Sequence, residues 1–346
     1  MRPAVAVLLA TLVVAVCAAS LRTEEPTPFG LAGFREVVLS VSDLERSAAA
    51  YTSVGGWKRI DEGTLDPARL SWWGVGEGVT ARELVLRNPG TETGQLRLIQ
   101  FAGARQELMR PTAQTWDTGG IFDFNVRVLD AEGKLDELRR AGWQGLTETI
   151  EFGFGPFVVR EVLARDADGV VVAMIERVEP PLEGWPHLKK WSRIFNSTQI
   201  VADFDRALAF YRDLLGFRVY LEHRGASEKP GPNVLGLPYD VAAEVERRVA
   251  ILSPDGTNSG SVEILSFEGL EGGDRSARAR APNLGILALR FPVTDLSGLR
   301  ERLERRGAPP MAGPTELDLP AFDANDAARR VLALEAPEGA RLEFVE

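Results

Sequence analysis

The stretch from Val201 to Phe217 occurs twice in the chain, and that repetition constrains the fold more than any other feature. Asp203 is placed to cap a helix, and Phe204, Ala207, Leu208, Tyr211 and Leu215 then form one apolar stripe at helical spacing. Gly216 supplies the left-handed residue that closes such a helix. Before the cap, Ile194 to Val201 reads as a strand, and Phe217 to His223 reads as the next one. The same order appears 160 residues earlier, matching at Val41/Val201, Asp43/Asp203, Arg46/Arg206, Ala49/Ala209, Tyr51/Tyr211 and Gly56/Gly216. A second pair is offset by 165 residues, with Val128, Asp130, Gly133, Leu138, Arg140 and Gly142 answered by Val293, Asp295, Gly298, Leu303, Arg305 and Gly307.

The chain is therefore expected to be α+β, built from four βαβββ modules in two pairs. Domain one is expected over residues 34–178 and domain two over 193–346, with a Pro-bearing linker at 179–192. Asp166-Ala-Asp-Gly169 marks a tight hairpin turn in the second module, and Pro337-Glu-Gly339 marks one in the fourth. Ahead of the modules, residues 1–20 carry a short basic start, an apolar run and small residues, the pattern of a cleavable export signal. An uncleaved membrane anchor is the rival reading, and residues 21–33 read as a flexible tether. Export places the protein in a periplasmic or extracellular space. Cys17 is the only cysteine, so thiolate chemistry and disulfides are excluded downstream of the signal. A net charge of −10 with no long basic run argues against nucleic acid as partner. The expected partner is a small molecule, and the pattern does not fix an oligomeric state.

The repeated Val-x-Asp-(Leu/Phe)-x-Arg, the following Tyr and Gly-(Phe/Trp), the Asp-x-Asp-Gly turn and the Leu342-Glu343 last strand resemble the vicinal oxygen chelate superfamily. That superfamily includes glyoxalases, extradiol dioxygenases and bleomycin-resistance proteins. The resemblance implies curled mixed sheets with helices outside and a divalent metal on inward residues of first and last strands. Strand periodicity agrees independently: in Ile121 to Val128, Phe122, Phe124, Val126 and Val128 alternate with Asp123, Asn125 and Arg127. The polar set is expected on the open face. In the first module, parity turns Glu36, Val38 and Ser40 the same way.

Carried over position by position, the resemblance puts its first-strand His on Glu36, Asp123, Asn196 and Ala288, and its last-strand carboxylate on Arg97, Ala173, Glu263 and Glu343. No histidine survives at these places; the two present are His187 and His223. Zinc and nickel sites built on imidazole are thereby disfavoured. In domain one, Glu36, Asp123 and Arg97 are expected to converge, either as a structural ion-pair cluster or as an anion pocket walled by Trp72 and Trp73. In domain two, Asn196, Glu263 and Glu343 are expected to offer oxygen ligands to Mg²⁺, Mn²⁺ or Ca²⁺, or the Glu263–Glu343 pair to act as acid and base. A pair of solvated strand carboxylates is the plainer alternative. His223 is a candidate base at the cavity rim. Phosphate loops, dinucleotide loops and Ser-His-acid triads have no counterpart in the sequence. Two functions follow as expectations: an exported small-molecule binder, or a metal-dependent lyase, isomerase or dioxygenase.

Overall fold

The computed structural model describes residues 27–112, 114–154, 156–324 and 328–346. The expected export signal, residues 1–20, and most of the expected tether lie outside the described residues. Module one runs β1 (Glu36–Ser40), α1 (Leu44–Ser53), β2 (Lys58–Thr64), α2 (Pro67–Trp72), β3 (Thr80–Arg87) and β4 (Gln95–Ala102). Module two follows as β5 (Asp123–Val128), α3 (Ala131–Arg140), β6 (Gln144–Gly145), β7 (Ile150–Phe154), β8 (Phe157–Arg165) and β9 (Val171–Glu179). Module three is β10 (Ile194–Ile200), α4 (Phe204–Ala209), β11 (Arg218–Gly225), β12 (Arg247–Ser253) and β13 (Ser261–Phe267). Module four is β14 (Gly285–Pro292), α5 (Leu296–Arg305), β15 (Met311–Asp318), β16 (Ala328–Glu335) and β17 (Arg341–Val345).

Local chemistry explains why the repeat folds alike in each copy. The side chains of Asp43, Asp130, Asp203 and Asp295 each accept a hydrogen bond from the backbone N–H three residues on, at 2.8–3.0 Å. Each satisfies a first-turn donor that the helix itself leaves unpaired. Gly133 and Gly298 recur because a Cβ there would stand 2.1 and 2.2 Å from the capping aspartate. Modules one and three hold one more residue between cap and closing glycine than modules two and four. In module three the expected single helix is α4 followed by a π-helical turn over Phe210–Leu215, whereas module one with the same spacing keeps one α-helix.

The strands form two mixed sheets. One has eight strands in the order β15-β16-β17-β14-β1-β4-β3-β2; the other has nine, with main path β11-β12-β13-β10-β5-β9-β8-β6 and β7 paired to β8. Modules one and four thus make one sheet, termed outer, while modules two and three make the other, termed inner. This corrects the expected pairing of neighbours within 34–178 and 193–346. First strands meet antiparallel at each sheet's centre, β1 on β14 and β5 on β10. Sequence neighbours are joined instead through the helical layer. Tyr51 of α1 packs on Trp57 of its own module, but also on Phe124 of β5, Trp143 and Trp191, with centroids 5.9–6.3 Å apart. Phe217 of module three likewise meets Phe291 of β14 at 5.7 Å. One continuous apolar core therefore holds residues of all four modules.

Two expected connectors are more ordered than their composition implies. Within the expected linker, Trp191 is fully buried in the aromatic cluster and its carbonyl accepts from Asn88 Nδ2 at 2.8 Å. Within the expected tether, Leu31 is buried and the Ala32 N–H donates to the Pro292 carbonyl at 3.1 Å. Among the described residues no helix is long and apolar enough to cross a membrane.

Candidate functional site

Each sheet curves around a hollow, and the two hollows are built differently. In the outer sheet, alternation turns Glu36 of β1, Arg97 of β4, Arg290 of β14 and Glu343 of β17 to the concave side, with Glu83 of β3 beside them. Arg97 donates to Glu36 at 2.9 Å and to Glu83 at 2.9 Å; Arg290 donates to Glu36 and Glu343 at 2.7 Å each. Arg341 pairs with Glu343 at 2.9 Å, and Arg69 closes the other end on Glu83. The Trp72 indole N–H donates to Glu343 at 2.6 Å, and the Arg341 guanidinium lies 4.9 Å and 5.2 Å from the rings of Trp72 and Trp73. Burial alone would raise the Glu343 carboxyl. Arg290 and Arg341 outweigh that and hold it down to about 2. Burial is overcome in the same way at Glu36, which Arg97 and Arg290 hold below the ordinary range. Its side chains are already paired with one another, so this hollow is a filled, charge-matched plug.

The inner hollow is an open cavity of about 540 Å³, within the size range of small-molecule sites. Its floor comes from β5, β10 and β13, its walls from β8, β9, β11 and β12, and its roof from the β7 hairpin and the loop around Val234. Asp123, Glu161 and Glu263 line it together. Asp123 is 3% exposed, and its carboxylate accepts the Thr198 N–H at 3.1 Å. Neither Glu161 nor Glu263 has a side-chain hydrogen bond or ion pair among the described residues. Burial pushes Asp123 up to about 7, against the opposing pull of Thr198 and Arg110. Burial and then the charge of Asp123 push Glu161 up to about 8. Burial, Asp123 and Glu161 together raise Glu263 well above the carboxylate range.

Farther along the same cavity are two guanidiniums. Arg127 lies over the Phe195 ring at 4.1 Å and Arg177 over the Phe157 ring at 3.8 Å. Neither side chain has a hydrogen bond or ion pair among the described residues, and the Nε of each is unpartnered. Burial, and then the neighbouring Arg177 charge, lower Arg127 to about 10. Asn125 donates to Asn196 Oδ1 at 2.5 Å, Asn196 Nδ2 donates to Ser261 at 2.9 Å, and Asn125 Oδ1 is left without a donor. The cavity mouth carries Glu151, His223, Glu228 and Lys229.

The expected site groups are redistributed by the sheet pairing. Glu36 and Arg97 converge as expected, but Asp123 is on the inner sheet, opposite Thr198 of β10. Glu263 and Asn196 share the inner sheet, whereas Glu343 belongs to the outer plug. The Glu263–Glu343 acid–base pair and the Asn196, Glu263, Glu343 metal set are therefore not assembled. Asn196 already spends both ends of its amide on Asn125 and Ser261. Among the described residues no three His, Cys, Asp or Glu side chains are arranged to hold a metal ion, so the donors present do not fit the expected Mg²⁺, Mn²⁺ or Ca²⁺. Trp72 and Trp73 pack into the plug and do not wall a pocket. His223 does line the inner cavity, at its mouth. The open-face placement of Asp123, Asn125 and Arg127 matches the alternation of β5. Glu161, Arg177 and Arg290 were not singled out from sequence. Glu161 falls on the same face of β8 as Val159 and Leu163, and a charge at an otherwise apolar alternate position was the available signal.

Residues 193–344 match the model of the Glyoxalase/Bleomycin resistance protein/Dioxygenase superfamily. Glyoxalase I from Zea mays superposes with a TM-score of 0.58 at 16% identity, covering 91% of this chain and 92% of that one. A putative dioxygenase from Bacillus subtilis superposes with a TM-score of 0.54 at 12% identity, covering 91% and 85%. At these identities the likeness is one of fold. No curated protein matches the sequence. Residues 193–344 thus carry the signature of the glyoxalase/bleomycin resistance protein/dioxygenase superfamily, and the described chain as a whole carries that superfamily's fold.

Proposed function

We propose that the protein binds a small molecule in the inner-sheet cavity and that the outer hollow is purely structural. One observation supports this above the others: Asp123, Glu161 and Glu263 face a 540 Å³ cavity with no counter-cation within ion-pairing distance among the described residues. Carboxylates largely withdrawn from water without a counter-cation cost stability, and such arrangements cluster at functional sites. The apolar segment at residues 1–20 extends the proposal to an exported binder, which the intact mass of the secreted protein tests.

A thermal-shift screen with chemically varied small molecules tests the binding itself, because a ligand of the folded state raises the melting temperature by mass action. Hits are expected to vanish in Val249→Trp, which fills the cavity from β12, and in Val234→Trp, which fills it from the roof. Hits that persist in both variants, or a screen with none, overturn the proposal.

A second reading has its own support. Asp123 at about 7 and Glu161 at about 8 lie at and just above neutrality within one cavity, as a proton-transfer pair of a lyase or isomerase would. Hydrogen exchange from a bound carbon acid into heavy water, lost in Asp123→Asn and Glu161→Gln even at saturating ligand, distinguishes that activity from binding alone.

A further inference from the structure

The inner cavity carries an acidic pole and a basic pole that form no ion pair among the described residues, although the charge of Arg127 acts on Glu161 across it. At one pole Asp123, Glu161 and Glu263 stand together, and the nearby acceptor Asn125 Oδ1 has no donor although Asn125 is only 5% exposed. The own-chain cation that acts on Asp123 is Arg110, and its guanidinium is already committed to the Gly119 and Asp117 carbonyls. At the other pole Arg127, 7% exposed, has an unpartnered Nε, and Arg177 beside it is likewise without an anion. Stacking on Phe195 and Phe157 fixes both guanidinium planes and leaves their edges for hydrogen bonding. A purely anionic ligand would satisfy the arginines and leave the acidic groups protonated, with no cation to pair with. A purely cationic ligand would do the reverse.

Resting on the binding function proposed above, we propose that the ligand is a zwitterion. Its ammonium group is held by Asp123, Glu161, Glu263 and Asn125 Oδ1, and its carboxylate or equivalent anion by Arg127 and Arg177. The outer hollow supplies the precedent within the same molecule: there every buried carboxylate is matched by a guanidinium. In the inner hollow the ligand brings the missing charges. The rings of Phe122, Phe152, Phe157 and Phe195 line the space between and around the poles and suit an apolar ligand body.

Calorimetric titration of the full chain with two matched sets tests this: phenylalanine, phenethylamine and 3-phenylpropionate, then 6-aminohexanoate, hexylamine and hexanoate. The second set separates the two charges in case the poles are far apart. In at least one set the zwitterion is expected to bind at least about tenfold more tightly than either singly charged analogue, the scale of one charge-assisted hydrogen bond. Glu263→Gln is expected to bring the zwitterion down to the affinity of the acid analogue, and Arg127→Met to that of the amine. Circular dichroism of both variants verifies that they fold. The proposal falls if neither set favours its zwitterion, or if both folded variants keep wild-type affinity. Binding of only an amine or only an acid, abolished by Val249→Trp, leaves the binding function standing and removes the zwitterion. Absence of binding in these sets together with an unproductive broad screen removes both.

Discussion

The outer and inner sheets place different chemistry on one lattice of positions. In the outer sheet Val38 pairs with Arg97, and Arg290 with Glu343; in the inner sheet Thr198 pairs with Glu263, and Asn125 with Ala173. By the same register Glu36 corresponds to Asn196, and Glu83 to Val249. Five interlocked charges in one hollow thus become two amides, one glutamate, one alanine and one valine in the other. Removing the guanidiniums and their matching carboxylates frees the space. Glu263, standing where the outer sheet has Arg97, gives the opened space an acidic floor. A duplicated fold can therefore keep one hollow as internal structure while the other is released from that duty.

The largest test of this contrast is Glu36→Gln, which strips the shared carboxylate from both Arg97 and Arg290. Breaking a buried pair is expected to cost roughly 3–5 kcal/mol, read by urea unfolding. A loss below about 1 kcal/mol would break the comparison by showing that the plug is not a matched unit.

The two hollows should also respond oppositely to pH. Glu343 has its pKa depressed to about 2, so its contribution is present above the unfolded value near 4 and lost as pH falls toward 2. Glu161 has its pKa raised to about 8, so the folded state binds a proton that the unfolded state has released between about 4 and 8. Its charge therefore costs stability increasingly as pH rises through that window. Glu161→Gln is expected to raise the stability at pH 9 by about 1 kcal/mol or more and to leave it unchanged at pH 4. Melting curves of both proteins at the two values check this, and destabilisation at pH 9 would contradict it.

The smallest effect sharpens the comparison by its sameness. Asp43→Ala in the outer half and Asp203→Ala in the inner half each remove an equivalent cap, so each is expected to cost about 1 kcal/mol by chemical denaturation. Unequal costs would mean that the two scaffolds differ as well as their linings.

The modules themselves were legible in the sequence because capping and closure are local: Asp203 needs only the backbone three residues on, and Gly216 only its own φ of 82°. Which face of β5 is polar was legible for the same reason, since alternation is a property of one strand. Pairing between modules was not. The antiparallel contact of β1 with β14 joins residues some 250 positions apart, and no periodicity carries that information. Asp123 and Glu343 were consequently read into the wrong partnerships, although both point to concave faces as alternation requires. Glu161 was hidden for a different reason: its role depends on its sharing a cavity with Asp123 and Glu263, which only the assembled sheet brings about.

The order in which the sheets close has a consequence for biosynthesis. The first strand leaves the ribosome long before its central neighbour, which begins only at Gly285, so the earliest-made module must wait while the middle of the chain zips up inside it. Severing the polypeptide in the stretch 179–192 would divide both hollows at once. Each fragment would then carry half of either sheet, and the two would be obliged to find one another to complete any hollow at all.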